Sequence, residues 1–384
     1  MRVLSIELTD FRNIRSAQVE FGPGVNFIFG PNGQGKTNLV EAVAFLSWLK
    51  SFRTSRSADL IRCDESGGGK SALIGAVLEG RSGRHEVRAE IGRGWRKVVL
   101  DSAPVCSARE TMSLLPVSCL SPDDPAILEG GPEGRRLLLD RFAAMIEPSR
   151  TPLFSMYASL VRERNALLRG GCQDAAMLDA VEANMAQVGA ECVSARLGAM
   201  FRIGARLPAA LASMAGTDLG VCVGYSSRWL EDRPVAGGLD SGREFMSKAA
   251  SALSCALKSR RSADAQLGFT SVGPHTDDVD VVLQGLRARG HASRGQKKVL
   301  MLAWKAAEAA ELAAERGAEP ILVLDDALAD LDQGRQSGVV EFLLGYRGQS
   351  FITSAVAQPG VFCGSNVIPA LAGRFGPDAV SGVD

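Results

Sequence analysis

The sequence predicts a mixed α/β protein, a sheet with helices around it, interrupted by a mainly helical insertion. Three observations predict it. Val25-Asn-Phe-Ile-Phe29 is a short apolar run that leads directly into a glycine-rich turn and then into helical spacing. From about Pro122 to Ala215 the alternation typical of strands gives way to apolar residues three and four positions apart. Short, largely apolar runs then return at Ile321 to Leu324 and Ser350 to Thr353, as expected of strands buried on both faces of a parallel sheet.

Taken in order, Val3 to Leu8, Ala17 to Phe21, Val25 to Phe29, Leu73 to Leu78, His85 to Ile91 and Trp95 to Leu100 read as strands separated by Gly and Ser clusters. One helix, Asn38 to about Lys50, interrupts them. A boundary near residue 105 accounts for the change of pattern, after which Arg136-Leu-Leu-Leu-Asp-Arg-Phe142 and Tyr157 to Leu168 have helical spacing. Two further long helices are expected at Ser241 to Arg260 and Gly295 to Arg316. The second has an apolar stripe of Val299, Leu300, Leu302, Ala303, Ala306, Ala310 and Leu312. Arg228 to Gly242, with its Gly, Pro and Asp, reads as a surface loop or linker.

With 384 residues, 46% hydrophobic and 22% charged, the chain has the composition of an ordinary globular protein long enough for two domains. Lys plus Arg equals Asp plus Glu at 43 each, so any contact with nucleic acid must come from a local basic patch and not from the overall field. The eight cysteines include no C-x-x-C pair, which removes zinc and dithiol spacings and suits a reducing compartment. Met1-Arg-Val-Leu-Ser-Ile-Glu-Leu alternates like a strand, and no window of about 18 apolar residues occurs. A cytoplasmic chain with no membrane contact of its own is the expectation.

Gly30-Pro31-Asn32-Gly33-Gln34-Gly35-Lys36-Thr37 fits G-x-x-x-x-G-K-[ST] in full and lies between an expected strand and an expected helix, the context that gives this pattern meaning. The glycines let successive backbone N–H groups face phosphate oxygens, Lys36 adds a point charge, and Thr37 offers a hydroxyl to Mg²⁺. A nucleoside triphosphate is the implied ligand. Ile321-Leu-Val-Leu-Asp325-Asp326 is a strand ending in two carboxylates, where the first can hold Mg²⁺ and the second can polarise an attacking water. An apolar strand ending in acids is also the ordinary way for a strand to leave a core; the phosphate loop is what raises the catalytic reading. Ala292-Ser293-Arg294-Gly295-Gln296-Lys297-Lys298 stands just before the long helix, with Ser293 placed as an N-cap.

These parts, followed by Ala329-Asp330-Leu331-Asp332, resemble in their order the head of an ABC-type ATPase: Walker A, a Ser-x-Gly-Gln signature, Walker B and a D-loop. Lys36 and Ser293 lie further apart than in compact transporter subunits, yet the intervening segment lacks the sustained heptads of long-armed SMC and Rad50 proteins. The chain is similar over nearly its whole length to the short-armed RecF family of bacterial DNA replication and repair proteins. The resemblance rests on Phe11-Arg-Asn-Ile14, Gly30 to Thr37, Ser51-Phe-Arg-Thr54, Ser121-Pro-Asp-Asp124, Leu128-Glu-Gly-Gly-Pro132, Arg135 to Asp140, Arg162 to Leu168, Gly273-Pro-His-Thr-Asp-Asp278 and Ser293 to Lys298. Asp123 stands where the family usually has Glu, Thr276 where it has Arg, and Asp330 where Glu is common. Asp326 stands where most ABC-type ATPases place Glu.

The resemblance implies a head formed by residues 1–105 and 262–384, with a helical arm at 106–261. It implies ATP bound by Gly30, Pro31, Asn32, Gly33, Gln34, Gly35, Lys36 and Thr37, Mg²⁺ held by Thr37 and Asp325, and catalysis by Asp326 with Lys36. Ser293, Gly295 and Gln296 of one copy would complete the site of another in an ATP-dependent homodimer. Weak, DNA-stimulated hydrolysis to ADP and phosphate would release the dimer from duplex DNA beside gapped or single-stranded DNA. RecO and RecR would be partners in loading RecA, with a possible part in the SOS response. The basic residues between 50 and 100, among them Arg53, Arg56, Arg62, Lys70, Arg88, Arg93, Arg96 and Lys97, are the candidates for DNA contact, or else an ordinary solvated face. The rival from another class is an ABC-type subunit energising a membrane transporter; a third reading is a nucleotide-gated interaction module without useful turnover. Thr353 and Ser354 close a strand where such heads carry a switch histidine, and His275 reads either as functional or as pinned by backbone hydrogen bonds.

Overall fold

The structure, a computed structural model, describes residues 1–63, 69–80, 83–170, 175–230, 243–356, 362 and 364–376. The chain opens with β1 (Arg2–Phe11), β2 (Ile14–Glu20) and β3 (Val25–Phe29), followed by α1 (Lys36–Trp48). Next come β4 (Ser71–Gly80), β5 (Gly83–Gly92), β6 (Trp95–Leu100), β7 (Ala103–Pro104), α2 (Ala108–Leu114), β8 (Val117–Leu120) and the short α3 (Asp124–Ile127). Helices α4 (Pro132–Ile146), α5 (Thr151–Arg169) and α6 (Ala175–Ala215) precede β9 (Val221–Ser226) and α7 (Arg243–Leu267). The remainder is β10 (Asp278–Leu283), β11 (Leu286–Arg287), α8 (Ala288–His291), α9 (Arg294–Arg316), β12 (Ile321–Leu324), α10 (Gln333–Gly345), β13 (Ser350–Ser354), β14 (Asn366–Leu371) and β15 (Arg374–Phe375). The mixed α/β head with a mainly helical insertion, expected from the sequence, is the architecture found.

Two compact units divide the chain: residues 1–125, 209–218 and 293–384 form one, and residues 126–208 and 219–292 the other. The first unit has two six-stranded sheets. One is antiparallel in the order β2-β1-β4-β5-β6-β7, its inner face built by Ile6, Leu8, Ile74, Leu78, Val87, Ala89 and Ile91. The other runs β15-β14-β3-β13-β12-β8 and is parallel except for the β14–β15 hairpin. Its central strands β3, β13 and β12 are largely buried, with β12 apolar throughout and Asn26, Ser350 and Thr353 as buried polar residues in the other two. Parallel strands end on the same edge, and that edge receives the loop after β3, the carboxylates after β12 and the end of β13.

The second unit is mainly helical with a small antiparallel sheet, β11-β10-β9. Arg164 is its central ion. Fully buried, it donates to Glu182 at 3.0 Å, Asp264 at 2.7 Å and Thr270 Oγ1 at 3.0 Å, so its charge is met on every side. Arg196 forms a bidentate pair with Asp140 and donates to the Pro274 carbonyl at 2.6 Å. Of the loop expected at Arg228 to Gly242, residues 231–242 lie outside the described residues, as do the first two residues of the helix expected from Ser241.

Candidate nucleotide-binding site

The loop Gly30–Gly35 joins β3 to α1 and turns on backbone that only glycine adopts cheaply. Gly30 has φ 151°, and a Cβ there would stand 2.2 Å from the Ala370 carbonyl oxygen. Gly35, at φ 96°, is the N-cap of α1 and supplies no side-chain cap, so the first N–H groups of the helix stay available to an anion. Asn13, in the β1–β2 turn, braces the loop by donating to the Gly33 carbonyl at 2.9 Å while accepting from Asn38 Nδ2 at 2.7 Å. Gln34 braces it from the other side, accepting from the Ala372 N–H at 2.5 Å.

Lys36 curls back over its own loop. Its ammonium donates to the Gly30 carbonyl at 2.6 Å and the Pro31 carbonyl at 2.8 Å. Burial lowers its pKa, opposed by the negative charges of Asp325 and Asp326. Thr37 Oγ1 donates to Asp325 Oδ1 at 3.0 Å, and Thr353 Oγ1 donates to the same oxygen at 2.5 Å. Register explains the meeting: Leu324 pairs Ile352, so the next residues, Asp325 and Thr353, stand side by side at the strand ends. Thr353 Oγ1 also accepts the Asp326 N–H at 2.8 Å. Asp325 is 1% exposed, and its Oδ2 is buried with no hydrogen-bond partner. Burial raises its pKa, with the two threonine hydrogen bonds pulling the other way.

An orphaned, buried carboxylate oxygen beside a P-loop hydroxyl is the donor set that suits a hard divalent cation completed by phosphate oxygens and water. No cluster of three or more His, Cys, Asp or Glu able to hold a metal by itself occurs among the described residues. Asp326 follows with φ 53°, and Asp330 in the next turn has φ 60°; both are non-glycine residues held in the left-handed region.

Ser293 caps α9 as expected. Its Oγ accepts the Gln296 N–H at 3.2 Å, and Gln296 Oε1 accepts the Ser293 N–H at 2.8 Å, a reciprocal capping box. Gly295 lies close to the turn after β12, since a Cβ there would be 3.0 Å from Arg335 Nη1 and 3.7 Å from the Asp330 carbonyl oxygen. Lys298 donates to the Ala329 carbonyl at 2.6 Å, tying the helix to the same turn. Among the described residues no hydrogen bond links Ser293, Gly295 or Gln296 to Gly30–Thr37. One chain thus presents a phosphate loop with its acids and, separately, a capped helix with its turn.

Comparison with known proteins gives the family. The model of the RecF/RecN/SMC N-terminal domain matches residues 2–362. RecF of Myxococcus xanthus, a DNA replication and repair protein, is 36% identical over 359 residues, covering 91% of this chain and 88% of its own. The chain belongs to the RecF family. RecF of Acidothermus cellulolyticus is 34% identical over 374 residues, covering 96% of this chain and 97% of that protein. Among solved structures, the recombination mediator RecF-ATPrS of the RecFOR pathway superposes with a TM-score of 0.84 at 24% identity, covering 97% of each chain. The corresponding RecF-ATP structure gives 0.83 at 24% identity, with 97% of this chain and 96% of that one covered. An Smc head bound to the C-winged helix domain of ScpA gives 0.54 at 15% identity, with 98% and 96% covered. No helix among the described residues is long and apolar enough to cross a membrane.

Several residues of the RecF-family motifs make contacts within the chain. Arg135 makes a bidentate pair with Asp278 at 2.8 and 2.9 Å, and Arg136 donates to the Asp277 carbonyl at 2.5 Å, so two motifs far apart in sequence brace each other. Thr276, where the family has Arg, closes a turn onto the Gly273 carbonyl at 2.8 Å. His275 is pinned between the Thr270 carbonyl at 3.0 Å and Tyr157 Oη at 3.2 Å, the backbone-held alternative. Arg12 forks onto buried Glu41 at 2.6 and 3.0 Å, and among the described residues it makes no hydrogen bond to Gly30–Thr37. Arg53 donates to Asn38 Oδ1 at 2.8 Å, one residue past Thr37. Sequence reasoning assigned no role to Asn13, Glu41 or Lys298 and left Thr353 open. Only Thr353 had a signal, its place at the end of an expected strand.

Proposed function

We propose that this chain is an ATP-driven DNA-binding protein of recombinational repair and replication restart, acting as a RecF-type recombination mediator. The observation that carries the ATP half is the meeting of Thr37 and Asp325, with the second Asp325 oxygen buried and unpartnered. ATP would draw Lys36 from the Gly30 and Pro31 carbonyls toward its phosphates and occupy the free N–H groups of α1. When bound, Mg²⁺ supplies charge neutralisation of the phosphates, with Thr37 and Asp325 as its protein ligands. Asp326, its backbone fixed by Thr353, orients the attacking water.

In this reading Ser293, Gly295 and Gln296 of a second copy close over the nucleotide, which makes ATP the bond between two protomers and slow hydrolysis their release. The differential affinity of ATP for the closed dimer is what shifts the population. RecO and RecR as partners, and a division of labour between a nucleotide-binding head and a mainly helical arm, belong to the same proposal. Family membership supports DNA as the partner in preference to a membrane transporter.

Duplex binding and sedimentation, each with Mg-ATP, with ADP and with Lys36→Met at two salt concentrations, tests this directly. A dimer that binds DNA only with ATP, and less at high salt, is expected. An ATP-dependent dimer with no affinity for DNA would remove the repair function and leave a different partner to be sought.

A further inference from the structure

We infer that the tip of the β5–β6 hairpin is a stacking contact for an unpaired nucleotide, engaging the single-stranded side of a duplex end or gap. This rests on the nucleic-acid partner proposed above and names a surface for it. The chain has four tryptophans; Trp48, Trp229 and Trp304 are 9%, 6% and 1% exposed, while Trp95 is 49% exposed. Trp95 opens β6 opposite Gly92, and its indole occupies the space that a Cβ on Gly92 would need, 2.1 Å from Cε2. Glycine at position 92 therefore lets the ring rest on the strand backbone with about half its surface in water. The tip is held in place: Gly94, at φ 85°, makes the turn, and its N–H donates to Ser57 Oγ at 2.8 Å.

Cations are concentrated at this tip. Arg93 lies in the turn, Lys97 shares the face of β6 with Trp95 by strand alternation while Arg96 falls on the opposite face, and Arg56 precedes the Ser57 that anchors the turn; all four are exposed, and none forms an ion pair among the described residues. Glu90, opposite Lys97 in the register, accepts the Ser71 hydroxyl at 2.9 Å instead. From Gly92 to Leu100 there is no acidic residue. Unpaired cations repel one another and favour a polyanion, but a duplex satisfies only them, because its bases are already stacked. An unstacked base with its own phosphates satisfies both the indole and the cations. An anionic lipid surface is the other chemistry that could take a tryptophan beside cations, and the test separates the two.

Since Trp95 is the exposed tryptophan, acrylamide quenching and emission intensity report on it directly. Titrations would use a blunt duplex, the same duplex with a short single-stranded extension, the single strand alone, and vesicles of anionic phospholipid, all with Mg-ATP. The extended duplex and the single strand are expected to quench Trp95 and shield it from acrylamide, and the blunt duplex to bind without either effect. Trp95→Ala should bind blunt duplex like the unmodified chain yet lose about tenfold in affinity for the extended one. Trp95→Phe should restore most of that loss, which also excludes a folding defect. Binding of extended DNA with Trp95 still fully quenchable, or a Trp95→Ala variant that keeps its preference, would overturn the stacking contact while leaving the DNA-binding reading in place. Absence of binding to every DNA would overturn both. A blue shift and shielding with vesicles but not with DNA would assign the tip to a lipid surface and overturn the inference.

Discussion

Lys36 holds two carbonyls of its own loop at 2.6 and 2.8 Å, contacts that nucleotide phosphates would replace. Lys36→Met should therefore lower ATP affinity at least about 100-fold in a fluorescent-nucleotide titration, the scale of a charged hydrogen-bonding group lost from a partly buried phosphate site. Asp326→Asn should keep ATP binding while reducing hydrolysis by roughly 100-fold, because a water-positioning group acts mainly in the transition state. Equal turnover in this variant would remove Asp326 from catalysis. In the second unit, Asp277 is buried, and its pKa is raised to about 6 by that burial, against hydrogen bonds from Tyr225 Oη at 2.7 Å and Trp229 Nε1 at 3.0 Å. An unfolded aspartate titrates near 3.9, so between about pH 4 and 6 the folded chain keeps a proton that the unfolded chain has lost. Stability should fall as pH rises through this window, by on the order of 2–3 kcal/mol. Denaturant unfolding of Asp277→Asn across the same window should show that slope removed.

At the scale of elements, the strand, loop and helix of residues 25–48 were legible because every requirement is local: an apolar run, glycines at positive φ and a lysine opening a helix. Helix α9 was legible for the same reason, with its capping serine and apolar stripe. Strand β8 was not. Its four residues, Val-Ser-Cys-Leu, follow Pro116 and show no periodicity, and only pairing with β12 makes them a strand. The role of Thr353 was hidden likewise, since parallel register, not sequence distance, places its hydroxyl between Asp325 and the Asp326 N–H. Gly30→Ala should cost about 2–3 kcal/mol in urea unfolding, as its Cβ would meet the Ala370 carbonyl and not a movable side chain. Lys298→Met frees the Ala329 carbonyl from the signature helix. Amide hydrogen exchange in residues 326–332 should rise in that variant, and unchanged exchange would mean that the turn is held by its other contacts.

For the whole molecule, the separation of the phosphate loop from the capped helix α9 carries the widest consequence of the proposed function. Ser293 and Gln296 use each other as capping partners and, among the described residues, make no hydrogen bond to the phosphate loop, so in the proposed mechanism a complete site requires a second copy. Sedimentation should then show a dimer with Mg-ATP that Ser293→Arg abolishes by filling the space needed by the other nucleotide, without loss of ATP binding to the monomer. The sequence by itself determined the phosphate loop, the acid pair, the capped signature helix and their order, and with them the family. It could do so because each is a short segment whose chemistry depends on adjacent residues. Tertiary structure alone decided which oxygen of Asp325 is left without a partner, which motif arginines are spent on buried carboxylates, and which tryptophan faces water. Those outcomes depend on strand register and on contacts between segments far apart in the chain, where pairing and burial, and not residue identity, set what a side chain can do.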